Sequence, residues 1–160
     1  AMMVPFVAVL VPLFQMFTKA KLINSWTGFI LPSIATPFLI MYFRNSARSF
    51  PRDTLEAARI DGLNEFQIFI RMFIPMMKPT YASAATITFM GAWNAYLWPK
   101  VVMQTNEAIT MPMLVANTMG GYVIDYGVVM AAVTICSLPT VIIFFCLQKS
   151  FTNAVAGAVK

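Results

Sequence analysis

Apolar residues lie along this chain in long blocks, with one extended polar interval near the middle. Met2 to Phe17 is almost wholly apolar and is interrupted by Pro5 and Pro12. A second block runs from Trp26 to Phe43, a third from about Tyr81 to Val102, and a fourth from Val128 to Leu147. The fourth holds 20 residues without a charge and contains one proline, Pro139. A membrane-crossing helix needs about 20 predominantly apolar residues, so each block is read as a span. The first would rise only ~24 Å against a hydrocarbon core of ~30 Å, and is expected to be the end of a longer helix. Trp26 stands where an interfacial aromatic belongs, and Trp93, Tyr96 and Trp98 lie towards the far end of the third block.

The polar interval, about residues 49–79, has an order of its own. Asp53 and Glu56 have capping-box spacing, and Gly62 is placed to take the left-handed position that ends a helix. The pattern predicts a helix over Thr54 to Asp61, about 12 Å long. Asn64 and Gln67 then offer a second cap, followed by an apolar stripe of Phe66, Phe69, Ile70, Phe73 and Met77. Pro75 and Pro79 bound the segment. A helix this short is not stable alone in water, so its own membrane domain or a partner must hold it. The Ala57–Ala58 pair removes side-chain bulk and would let another surface approach the backbone. Taken by themselves, these residues read equally well as a connector tucked under the spans or as a docking element.

Composition agrees with the pattern. Of the 160 residues, 59% are hydrophobic and 11% charged, with a mean hydropathy of +0.74. Soluble domains carry about 25% charged residues, so lipid must solvate much of this surface. The net charge of +5 does not point to nucleic acid, because Arg44, Arg48, Arg52, Arg59, Arg71 and Lys78 crowd into one window beside the apolar blocks. With alternating spans, that window shares a side with Lys149 and Lys160, and the opposite side keeps only Lys19, Lys21 and Lys100. The positive-inside rule places the polar interval and the C-terminus in the cytoplasm, with the Gln104 to Tyr126 loop outside.

Several chemistries find no residues to carry them. The chain has no histidine and no cysteine cluster with metal-ligand spacing, and Cys136 and Cys146 read as buried, inert thiols. No charged n-region or A-x-A site marks a signal peptide. A phosphate-cradling G-x-x-x-x-G-K-[ST] loop is absent, so energy for pumping would have to come from a partner or an ion gradient. All six acidic residues lie in expected loops, which weakens a proton-relay carrier. Thr86, Thr88, Thr134 and Ser137 are expected to hydrogen-bond across helices. Asn94 beside Trp93 divides evenly between a structural pair and a sugar-facing one. The 13 methionines, those at 111, 113 and 119 included, read as adaptable packing.

Glu56-Ala57-Ala58, three residues, Gly62, nine residues, then Met72-Phe73-Ile74-Pro75 resembles the EAA loop of permease subunits of ABC-type importers. Met72 and Ile74 depart from the usual Ile and Leu but stay apolar, and Asp61 before the glycine fits the common form. Trp93-Asn94 resembles a pair found in sugar-importer permeases, and FTNAVAGAVK, from Phe151 to Lys160, is similar to the ending of the second permease subunit of maltose-type transporters. The resemblance implies an all-α, polytopic helical membrane protein with a type I ABC importer permease core. Residues 1–160 would form one membrane domain, holding four of the family's usual six spans, with the missing pair N-terminal. It implies that Glu56, Ala57, Ala58, Asp61, Gly62 and Pro75 form the coupling loop that docks on an ATP-binding cassette subunit. Trp93 and Asn94 would belong to the substrate path, and the outer loop, with a turn at Gly120-Gly121, would meet a solute-binding protein. A second permease subunit and membrane lipid complete the implied partners. No cofactor, metal or catalytic residue is implied, the location is the cytoplasmic membrane, and the cargo is a sugar or oligosaccharide. The competing readings are a permease for another solute and an ATP-independent helical channel or carrier.

Overall fold

Prolines and side-chain caps, more than hydrophobicity, decide where the helices of this chain start and stop. A computed structural model describes residues 3–105, 109–121 and 124–157, with side chains as far as Cys146. Among the described residues the regular structure is helical throughout, with no β-strand. Helix α1 (Phe6–Lys19) is followed by a short α2 (Trp26–Ile30), a 3₁₀ turn (Leu31–Ser33) and α3 (Pro37–Arg48). Then come α4 (Arg52–Ile60), α5 (Glu65–Ile68), a π-helical turn (Phe69–Phe73), α6 (Ile74–Met76) and α7 (Lys78–Trp93). Helices α8 (Leu97–Val102), α9 (Met111–Thr118) and α10 (Tyr126–Gly157) complete the order.

The expected spans survive unequally. The fourth is longer than its apolar block: α10 has 32 residues, and Tyr126–Cys146 is long and apolar enough to cross a membrane. The second is not one helix. The Ser25 hydroxyl accepts from the Gly28 N–H and the Thr36 hydroxyl from the Leu39 N–H, so two capped helices start within the block, with Pro32 in the 3₁₀ turn between them and Pro37 in the first turn of α3. The two pieces meet at a bend of 43°. The third block also divides. Helix α7 begins at Lys78, since Pro79 is at home in a first turn, and ends at Asn94, with α8 starting afresh at Leu97. Helix α1 is only 14 residues long, with Pro12 inside it. Met2, residues 106–108 and 122–123 of the loop expected outside, and the last three residues of the tail lie outside the described residues.

Two packing centres organise these elements. At one, Phe17, Trp98, Val102 and Met103 are buried together under Leu10, Leu13, Leu22, Ile23 and Phe29. The Trp98 ring stands edge-on to Phe17 at 5.2 Å, and its indole N–H donates to the Gly28 carbonyl at 3.2 Å. Asn24 takes a left-handed φ of 56° and accepts the N–H groups of Gln104 and Thr105 on its side-chain oxygen. Its own N–H donates to the Val102 carbonyl at 2.8 Å. At the other centre α7 packs along α10, more extensively than any other pair of elements. The buried residues of α7 are the small Ser83, Ala84 and Thr86, which let a neighbouring backbone come close.

Four hydroxyls of the spans bond within their own helices rather than across. Ser83, Thr86, Thr134 and Ser137 each donate to a carbonyl four residues back. A hydroxyl four residues above a carbonyl always has that acceptor at hand, so no neighbouring helix is required. Cys136 is half-buried and Cys146 exposed, so the expectation of two buried thiols holds only in part. Large apolar side chains elsewhere, among them Phe144, Phe145 and Ile142 on α10, stand exposed.

Candidate functional site

The interval from Pro51 to Met77 is the element on which the sequence pattern concentrates, and its start differs from the expectation. Asp53 is not a cap. The chain enters α4 through Pro51, whose extended backbone (φ −62°, ψ 119°) places Arg52 at the first helical position. Asp53 therefore falls within the first turn, where its charge complements the helix dipole without a side-chain cap bond. Glu56 lies beyond the capping position, so the capping box expected from the spacing of Asp53 and Glu56 is not formed. It stands exposed on a shallow groove lined by Arg52, Leu55, Glu56 and Arg59, one face of α4.

The end of α4 is as the pattern predicts. Gly62 has φ +80°, a conformation that glycine takes without Cβ strain. The Gly62 N–H donates to the Arg59 carbonyl at 3.0 Å and the Leu63 N–H to the Ala58 carbonyl at 3.1 Å, the pairing of a Schellman motif. Asn64 then caps α5 reciprocally. Its side-chain oxygen accepts the Gln67 N–H at 2.9 Å, and its own N–H donates to the Gln67 side chain at 3.1 Å.

Two neighbouring alanines have opposite duties. Ala58 is 2% exposed and faces the body of the chain, whereas Ala57 faces outward beside Glu56. Smallness at 58 serves internal packing, and smallness at 57 leaves the backbone open to approach. Asp61, Gly62 and Pro75 are all exposed. Ile60, at 86% exposure, and Phe66 are large apolar groups on the same element, and neither was marked by the pattern as outward-facing.

The apolar stripe after the hinge is largely not the buried face. Phe66, Phe69 and Ile70 are exposed, while Ile68 and Met77 are buried. The π-turn explains the change of phase. The Ile74 N–H bonds to the Phe69 carbonyl five residues back, which adds a residue to the turn and rotates everything beyond it relative to a 3.6-residue repeat. The missing N–H of Pro75 falls at the end of this turn.

An ion pair spans the hinge. Arg59 Nε donates to Glu65 Oε1 at 2.8 Å, joining the last turn of α4 to the first residue of α5. The hydrogen bond from Arg59, and then its charge, hold the Glu65 carboxyl below its ordinary range, and the same contacts raise the Arg59 guanidinium. Opposite charges just outside a predicted Gly62 stop and Asn64 cap were the available signal for this pair.

Trp93 and Asn94 lie apart from this element, at the far end of α7. The Trp93 indole N–H donates to the Cys136 carbonyl of α10 at 2.8 Å, and the Asn94 side-chain amide donates to the Met90 carbonyl at 2.8 Å. Asn94 also terminates α7 through its backbone N–H. Both donors thus have protein partners within the α7–α10 pair. Among the described residues no group of acidic, histidine or cysteine side chains could hold a metal ion.

Residues 1–157 match the family described as the binding-protein-dependent transport system inner membrane component. The chain belongs to that family. It is 42% identical over 159 residues to the lactose transport system permease protein LacG of Rhizobium radiobacter, covering 99% of this chain and 58% of that protein. The arabinooligosaccharides transport system permease protein AraQ of Bacillus subtilis is 37% identical over 160 residues, covering 99% of this chain and 57% of the relative. The chain therefore spans somewhat under three-fifths of the length of these relatives. A crystal structure of a bacterial ABC transporter involved in the import of the acidic polysaccharide alginate contains a chain of similar fold. The TM-score is 0.76 at 25% identity, with 87% of this chain and 55% of the other covered. Membership settles the broad class: a helical membrane component of a transport system, seated in the cytoplasmic membrane.

Proposed function

We propose that this chain is part of the membrane-spanning permease of an ATP-driven importer that carries a sugar or oligosaccharide inward. ATP is hydrolysed by a separate ATP-binding subunit, and α4 with its Gly62 hinge is the surface on which that subunit docks. A second permease subunit and an extracytoplasmic solute-binding protein complete the assembly. The observation that carries the reading is α4 itself. It is a nine-residue helix whose Glu56, Ala57 and Ile60 are exposed and bonded to nothing else in the chain through their side chains, too short to be stable without a support. The relatives' names, lactose and arabinooligosaccharides permeases, support a carbohydrate cargo. In this reading α4 and the C-terminus face the cytoplasm.

The residues divide the work accordingly. Ala57 allows close approach, Glu56 offers a carboxylate to a basic group of the partner, and Gly62 sets the angle at which α4 leaves the helices behind it. Trp93 and Asn94 keep a place beside the substrate path through the backbone they order.

Purifying the native complex and reconstituting it in vesicles tests the proposal. ATP-dependent uptake, with ATPase activity stimulated by a carbohydrate and its binding protein, is the expected result. Uptake that persists without ATP would establish the channel or carrier reading instead, and stimulation only by a non-carbohydrate solute would overturn the cargo.

A further inference from the structure

Between α4 and α10 the chain forms one long arm. Residues 65–93 run as α5, the π-turn, α6 and α7, with backbone bonds carried across the joints by Ile74, Met77 and Tyr81. The arm ends at the Trp93 bond to α10. A displacement of α4 reaches this arm through the connection at Gly62, which is exposed together with Asp61 and Asn64, with Leu63 half-buried between them, and whose absent Cβ would meet nothing within 4 Å. Dense packing does not immobilise that turn. The Schellman and capping bonds close the ends of the two helices, but each acts within its own helix terminus. Arg59 and Glu65 are joined directly across the gap, so their contact acts on the angle itself.

We propose that the Arg59–Glu65 pair is a positioning clasp, holding α4 at a fixed angle to the 65–93 arm so that movement of α4 is delivered to α7 rather than absorbed at Gly62. The proposal rests on the reading of α4 as the ATPase contact. Its physical ground is the mismatch between where the pair lies and what it can add to folding. Exposed ion pairs contribute little to stability. A pair placed across a glycine hinge nevertheless restricts the one motion that would uncouple the two helices.

The test uses the whole complex in vesicles, with Arg59→Glu, Glu65→Arg and the double exchange. Co-purification of the ATP-binding subunit and substrate carried per ATP hydrolysed are both measured. Each single reversal is expected to retain the ATP-binding subunit and to lower transport per ATP by roughly threefold, a change of the size exposed pairs produce. The double exchange is expected to restore the ratio. The clasp is overturned if the single variants transport with the unaltered ratio, or if the exchange does no better than the worse single variant. Loss of the ATP-binding subunit from the single variants would also overturn it, because the charges would then belong to the docking contact. If the unsubstituted chain fails to retain that subunit, it is the docking reading that falls.

Discussion

The junction of α1, α2 and α8 and the connection between α4 and α5 both turn the chain sharply, and they are held by opposite means. At the first, Trp98 and Val102 are buried, and bonds reach from Trp98 to Gly28 and from Gln104 to Asn24 across 70 and 80 residues of sequence. At the second, the stabilising bonds all lie within a few residues of Gly62 and most of the surface is open. The contrast teaches what each is for. A turn fixed by burial cannot change its angle without unpacking a core, whereas one fixed by local polar contacts can be adjusted or reset by whatever docks on it.

The comparison can be broken at its strongest point first. Trp98→Ala should lower the stability of the whole domain by about 3 kcal/mol, since it removes a buried ring and one end of a long-range bond. Thermal unfolding in detergent reads this, and a midpoint shift no larger than that of an exposed substitution would remove the claim that this junction is a core. Gly28→Ala comes next. A Cβ there would lie 1.9 Å from the Leu22 carbonyl oxygen, a contact with backbone that no side-chain motion relieves. The expected cost is about 1–3 kcal/mol, seen as a lower unfolding midpoint.

At the other turn the effects should be smaller in stability and larger in coupling. Gly62→Ala has open space for its methyl group and meets only the strain of a positive φ, about 1–2 kcal/mol confined to the hinge. It should lower the unfolding midpoint by no more than Gly28→Ala does, while lowering transport per ATP. Gly62→Trp adds bulk at the same point and should reduce recovery of the ATP-binding subunit as well. Equal transport by the alanine variant would show that the hinge geometry is not used.

The smallest effect concerns pH. Because Arg59 holds the Glu65 carboxyl below its ordinary range, the clasp is fully formed above that range. It is lost only as pH falls through the depressed value. Glu56 is the other carboxylate whose charge acts on Arg59. Transport per ATP should therefore be flat through neutral pH and fall only in acid below the usual glutamate range. An equal fall in a Glu65→Gln variant would assign the acid sensitivity elsewhere.

Short-range features were legible in the sequence and long-range ones were not. Gly62 and the Asn64–Gln67 cap involve residues at most three apart, so spacing alone reveals them. Asp53 misled because cap preference ranks it above proline, while in the fold Pro51 supplies the extended entry and the helix starts earlier. Hydropathy marked Trp26 to Phe43 as one apolar block, but it does not register that Ser25 and Thr36 each start a helix there. The phase of the Phe66–Met77 stripe was lost to a single π-turn, which a 3.6-residue template cannot represent. The partner of Trp93 lies 43 residues away on α10, beyond any local pattern.

That indole bond gives the molecule an optical handle. Of the three tryptophans, Trp26 stands exposed, Trp98 is packed in the α1–α2–α8 core, and Trp93 alone joins the arm to α10. The carbonyl it holds belongs to Cys136, within one turn of Pro139, where the helix lacks a backbone donor and bends most readily. A protein retaining only Trp93, with phenylalanine at positions 26 and 98, would report through its emission each time α10 flexes against the arm. Relative motion of α7 and α10 could then be timed with light, from within the protein, without attaching a label.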